Sequence, residues 1–129
     1  MRRRGILHAE LSAALARLGH TDHVVVADCG LPIPAGPQVV DLAFTFGVPG
    51  FLPVLDGLLA ELVVEDAVVA SEIDADNPHC AAALAQRLPE ARRVAHEELK
   101  RLLGDAKLVV RTGEASPYAN VVLRCGVPF

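Results

Sequence analysis

A chain of 129 residues, 52% hydrophobic and 22% charged, fits one compact domain over 1–129 that buries roughly 65–70% of its unfolded surface, and is too apolar to stay disordered. Its net charge of −4 offers no basic face for neutralising phosphates, which argues against nucleic acid as the main partner. Cys29, Cys80 and Cys125 are odd in number, widely separated and form no Cys-x-x-Cys pair; this usage points to reduced thiols in a cytoplasmic protein, not to disulfides or structural zinc.

The opening Met1-Arg2-Arg3-Arg4 precedes an apolar stretch, as in a signal peptide, but His8, Glu10, Ser12 and Arg17 interrupt any apolar core. No run approaches the roughly 18 apolar residues of a membrane span, so no membrane partner is expected. Leu7, Leu11, Ala14, Leu15 and Leu18 instead recur at helical spacing. Gly19 stands where a helix C-cap belongs. His23–Ala27 reads as a short buried strand ending at Asp28. Gly30, Pro32, Pro34, Gly36 and Pro37 make the following stretch a fixed loop, and 39–42 is a second short extended piece.

Phe51, Val54, Leu55, Leu58, Leu59 and Leu62 draw the clearest helical stripe, with Pro53 tolerated in its first turn. Residues 67–70 form the next strand. Asn77 and Pro78 pair as N-cap and first residue of a helix running through Leu88. Residues 93–95 read as a strand stopping at His96, followed by a helix over about 97–103. The last two strands are predicted at 107–110 and 120–123. This alternation implies a single-domain layered α/β/α fold with a largely parallel, Rossmann-like central sheet.

In such sheets ligands gather at the carboxyl ends of strands, where Asp28 and His96 both fall. Glu114, Ser116, Tyr118 and Asn120 reach the same rim if the last two strands form a hairpin. Each residue also has a plain structural reading. Asp28 can form an Asx-turn, His96 can simply open a helix with Glu97 and Glu98, and Lys100 can pair with Glu97 or Asp105. Glu114 can brace its loop or pair with Arg111, and His8, His23 and His79 read as structural. His20 precedes the first strand, so a strand of five residues separates it from Asp28 by about 17 Å. Either the strand limits differ, or a neighbouring subunit completes the site; the second is the favoured reading. There is no Gly-x-Gly-x-x-Gly, no Walker-type motif and no metal-ligand spacing among the histidines, so neither cofactor nor metal is expected.

Two polar blocks, Leu18-Gly19-His20-Thr21-Asp22 with Ala27-Asp28-Cys29-Gly30-Leu31-Pro32-Ile33-Pro34, and Arg111 through Asn120, together with the Gly5-Ile6-Leu7 opening and the Cys125–Phe129 close, resemble the D-ribose pyranase family nearly end to end. The resemblance implies a cytoplasmic isomerase that interconverts β-D-ribopyranose and β-D-ribofuranose, working as a decamer of two pentameric rings. It implies His20 as general acid and Asp28, His96, Tyr118, Ala119 and Asn120 as sugar-binding positions, with Lys100 as an added contact. D-ribose would be the bound partner. A His suits proton delivery near neutrality, while Asp28 can hold hydroxyls, orient a His or act as base. The sister L-fucose mutarotase group tends to read Gly-His-Gly-Asp and Gly-Glu-x-x-x-Tyr-Gly-Asn, whereas Gly19-His20-Thr21-Asp22 and Pro117-Tyr118-Ala119-Asn120 favour the ribose side. A non-catalytic sugar-binding module is the rival from another class.

Overall fold

In the computed structural model, which describes residues 1–129, six strands form one sheet. They are β1 (His23–Ala27), β2 (Gln38–Asp41), β3 (Val64–Ala70), β4 (Arg92–Val94), β5 (Leu108–Arg111) and β6 (Val121–Cys125), in the order β2-β5-β1-β6-β3-β4. Five run parallel; β6 lies between β1 and β3 and is antiparallel to both. The helices are α1 (Ala9–Ala16), α2 (Phe51–Leu59), α3 (Ile73–Asp76), α4 (Pro78–Arg87) and α5 (His96–Leu102), the last continued by a 3₁₀ turn over Leu103–Asp105.

Strand side chains alternate between faces, and that alternation sorts the core into two layers. Val24, Val26, Val69, Val110, Val121 and Leu123 pack on α1, α2, α3 and α4 through Leu11, Leu15, Phe51, Leu55, Leu58, Ile73 and Leu84. Val25, Ala27, Val68, Val109 and Val122 face the other way and pack on Leu99 and Leu103, with Leu31 from the loop after β1. The continuous Val24-Val25-Val26 run is apolar because both of its faces are covered. The expected α/β/α layering is therefore the observed one.

Three local expectations change. Helix α1 ends at Arg17, whose N–H reaches back to the Ala14 and Leu15 carbonyls. Gly19 is thus not its cap; the left-handed residue in this turn is Thr21, with φ +70°. The last two strands do not form a hairpin: β1 lies between them, because β5 prefers a parallel place beside β1 and β2. Helix α3, a single turn before Asn77, carries too few residues to show a period in sequence. The predicted cap of α4 is present, since the Asn77 side chain accepts from the Cys80 N–H at 3.4 Å. No helix is long and apolar enough to cross a membrane.

Candidate functional site

The direction of β6 decides the site. The carboxyl ends of the five parallel strands and the amino end of β6 share one rim, so the loop before β6 reaches that rim without a hairpin. Asp28 follows β1, His96 follows β4, and Tyr118, Ala119 and Asn120 lead into β6. Four of the predicted positions are linked there by contacts.

Asn120 is fully buried and works in both directions. Its Oδ1 accepts from the Asp28 backbone N–H at 2.8 Å, and its Nδ2 donates to Asp28 Oδ2 at 2.9 Å. Asp28 Oδ1 accepts from the N–H groups of Gly30 and Leu31 at 2.9 and 2.8 Å. The Asx-turn and the site reading of Asp28 are therefore compatible: the turn fixes the carboxylate that the rim presents. The cleft beside it, about 340 Å³, is lined by Asp28, Cys29, Gly30, Phe46 and Glu114–Pro117, at the small end of ligand sites.

Tyr118 holds φ +59°, a conformation that costs a non-glycine residue about 1–3 kcal/mol and concentrates at functional sites. Its ring meets that of His96 edge to face, with centroids 5.1 Å apart. His96 Nδ1 is buried with no hydrogen-bond partner in the protein. An orphaned buried nitrogen costs about 1–3 kcal/mol, which a ligand hydroxyl would offset. The His96 backbone N–H donates to both Glu72 oxygens at 2.9 and 3.1 Å; with the Ser71 hydroxyl, this holds the Glu72 carboxyl below its ordinary range. Lys100, one turn beyond His96, pairs with Glu97 at 2.6 Å and lines a shallow groove with Pro32, Ile33 and Pro34. Ala119 is fully buried with its methyl in the core, so only its backbone can meet a ligand.

Several supporting residues escaped sequence reading, because each acts through a partner far along the chain. Thr112 is buried, donates to the Ala27 carbonyl at 2.8 Å and accepts from the Glu114 N–H. Asn77, beyond capping α4, donates to Ser116 Oγ and the Pro117 carbonyl, both at 2.9 Å. It thereby pins the turn that carries Tyr118. Arg111 pairs with Asp41 and donates to the Cys29 carbonyl; it does not pair with Glu114, which braces the site through its backbone carbonyl to the Cys29 N–H. His8 caps α1 by accepting from the Leu11 N–H. No cluster of three His, Cys, Asp or Glu side chains is arranged to hold a metal.

His20 is not with the others. It lies before β1, at the opposite rim, half-exposed in a depression lined by Leu15, Leu18, Glu61, Leu62, Val63 and Cys125–Pro128. The strand limits match the sequence reading, so one chain does not bring His20 to Asp28.

Fold and rim together define a layered α/β domain with a small cleft lined by polar groups at the carboxyl ends of its parallel strands. The family model described as the RbsD / FucU transport protein family matches residues 1–128, and the chain belongs to that family. It is 66% identical over 129 residues to D-ribose pyranase 1 of Rubrobacter xylanophilus, covering 100% of both sequences. It is also similar to the solved structure of Bacillus subtilis RbsD complexed with D-ribose, with TM-score 0.95, 44% identity and 100% of each chain covered. The fucose mutarotase of Streptococcus pneumoniae in complex with L-fucose shares the fold at 20% identity, with TM-score 0.82 and 95% of each chain covered.

Proposed function

We propose that this protein is a D-ribose pyranase, an isomerase that interconverts β-D-ribopyranose and β-D-ribofuranose. The observation that carries the reading is the full-length agreement with a D-ribose pyranase at 66% identity. The polar rim supports it, since such a donor and acceptor set suits a neutral pentose.

The reaction opens one hemiacetal and closes another. The anomeric hydroxyl loses a proton, the bond from C1 to the pyranose ring oxygen breaks, and that oxygen gains a proton, giving the open-chain aldehyde. Attack of the C4 hydroxyl on C1 then closes the furanose ring, with the proton moves reversed. His20 serves as the acid that protonates the ring oxygen, because an imidazole exchanges protons readily near neutrality. Asp28 holds sugar hydroxyls with its carboxylate aimed by the buried Asn120; Tyr118 and His96 Nδ1 supply further polar contacts, with Lys100 and the backbone of Ala119 and Asn120 at the margin. Asp28 or water takes the anomeric proton. A lone proton donor contributes around 10²–10⁴-fold, enough for a reaction that already proceeds in water.

His20 and Asp28 stand at opposite ends of β1, and this supports a site shared between subunits. Phe46, 82% exposed, lines the Asp28 cleft, and Phe44, 86% exposed, lines the adjoining depression with Cys29 and Arg111; together they give apolar surface of the kind that association covers. The assembly we propose is a cytoplasmic decamer of two pentameric rings, with His20 of one copy facing the rim of the next.

Saturation-transfer NMR tests the activity: faster exchange between ribose ring forms is expected, and acceleration in L-fucose alone would overturn the reading. His20→Ala should abolish acceleration while ribose affinity stays within about threefold. Mixed oligomers of His20→Ala and Asn120→Ala should regain activity, since about a quarter of random interfaces in a closed ring hold both intact halves. A fully active monomer would exclude the shared site.

A further inference from the structure

We propose that Glu65 is the positioning residue for His20, fixing which ring nitrogen faces the sugar; the proposal rests on His20 being the acid. Three observations carry it. His20 Nε2 lies 3.1 Å from Glu65 Oε2. The other carboxylate oxygen, Oε1, lies 3.1 Å from Arg124 Nε, so the carboxylate is held from both sides. Glu65 also sits at a break in strand register: Val64 pairs with Cys125 and Asp66 with Arg124, leaving Glu65 as the extra residue of a β-bulge. Bulges re-aim side chains and recur beside active sites.

The backbone under His20 is fixed independently. Asp22 Oδ2 accepts from the Gly19 N–H at 2.7 Å, Thr21 holds its left-handed φ, and the Thr21 N–H and the Asp22 carbonyl both bond to Cys125. What remains free is rotation and tautomer of the imidazole, and Glu65 removes both freedoms. A carboxylate only accepts, so Nε2 carries its proton toward Glu65. Nδ1 is then the nitrogen that delivers a proton to the ring oxygen and takes it back. In the acid form both nitrogens carry protons, Nε2 still facing the carboxylate and Nδ1 the sugar, so Glu65 acts as a third group that orients the acid.

Two substitutions read this out. In Glu65→Gln the guanidinium of Arg124 still needs an acceptor and claims the amide oxygen, which turns the NH₂ toward His20 Nε2 and forces that atom to accept. Side-chain ¹⁵N NMR of the full-length protein should show neutral His20 as the Nε2–H form in the wild type and shifted to the Nδ1–H form in Glu65→Gln. In Glu65→Ala a mixture of the two is expected. Both variants should lose about tenfold or more in kcat, with KM for D-ribose within twofold. An unchanged tautomer in both variants, or a changed tautomer with wild-type kcat, would overturn the assignment of Glu65 while leaving the isomerase reading intact. Full activity of His20→Ala would overturn the acid assignment and this proposal with it.

Discussion

Asp28 and Asn120, 92 positions apart in sequence, hold each other by two hydrogen bonds of 2.8 and 2.9 Å, one through the Asp28 backbone and one through its carboxylate. An amide is the one side chain of this size that can accept the first and donate the second at once. The end of β1 and the start of β6 are thereby locked into one surface.

Asn120→Asp is therefore expected to do more than remove a bond. It sets two carboxylates at hydrogen-bond distance, where like charges repel until one takes up a proton. Ribose affinity measured by calorimetry should fall at least tenfold at neutral pH and recover in part near pH 5. The folded state should lose about 1–3 kcal/mol in urea unfolding, the cost of a buried polar group left without its partner.

Gly113 joins the site to the loop bearing Phe44 and Phe46. A Cβ there would stand 2.5 Å from the carbonyl oxygens of both Thr45 and Val48 and 2.7 Å from the Val48 carbonyl carbon. These are backbone atoms that cannot swing aside, so Gly113→Ala must push the two loops apart, at about 1–3 kcal/mol by analogy with overpacked cores. A lower melting temperature and a raised KM for ribose are expected together, because the displaced segment carries the Asp28 cleft.

The turn under His20 has an acid-sensitive lock. The hydrogen bond from Lys107 Nζ, aided by the Gly19 N–H, holds the Asp22 carboxyl below its ordinary range. A folded value lower than the unfolded one contributes stability above the unfolded value, about 3.9, and loses it as pH falls through the folded value. Asp22→Asn should thus be less stable than wild type above about pH 4, by a small margin because the pair is partly exposed. The difference should vanish in more acidic urea titrations. A gap that persists unchanged at pH 2 would contradict this account.

The thiols should separate by burial. Desolvation pushes the Cys80 thiol up to about 11 and raises that of Cys125 as well, and both are buried. Cys29 is half-buried and lines the Asp28 cleft. A thiol reagent at pH 8 should label Cys29 alone in the native protein, and saturating D-ribose should slow that labelling. Labelling of all three at equal rates would mean the cleft is no more open than the core.

Local chemistry along the chain was enough to read β1 to the residue, the Asn77-Pro78 start of α4, the α2 stripe and the fixed loop after Asp28. Capping, proline geometry and apolar period act within a few residues, so they are written in the sequence. The polar blocks around His20, Asp28 and Tyr118–Asn120 were equally legible, since each is contiguous. What the sequence could not state was the order of strands. Inserting β1 between β5 and β6 depends on which edges pair after collapse, and that choice brings Tyr118 and Asn120 to Asp28. The roles of Thr112, Gly113 and Glu65, and the hold of Asn77 on Ser116 and Pro117, likewise depend on partners tens of residues away. The sequence by itself determined which side chains have the chemistry, that Asp28 and His96 follow strands, and that His20 stands a strand's length from Asp28; tertiary structure alone decided that Tyr118 and Asn120 join Asp28 and His96 on one rim, because that needs β6 to lie antiparallel between β1 and β3.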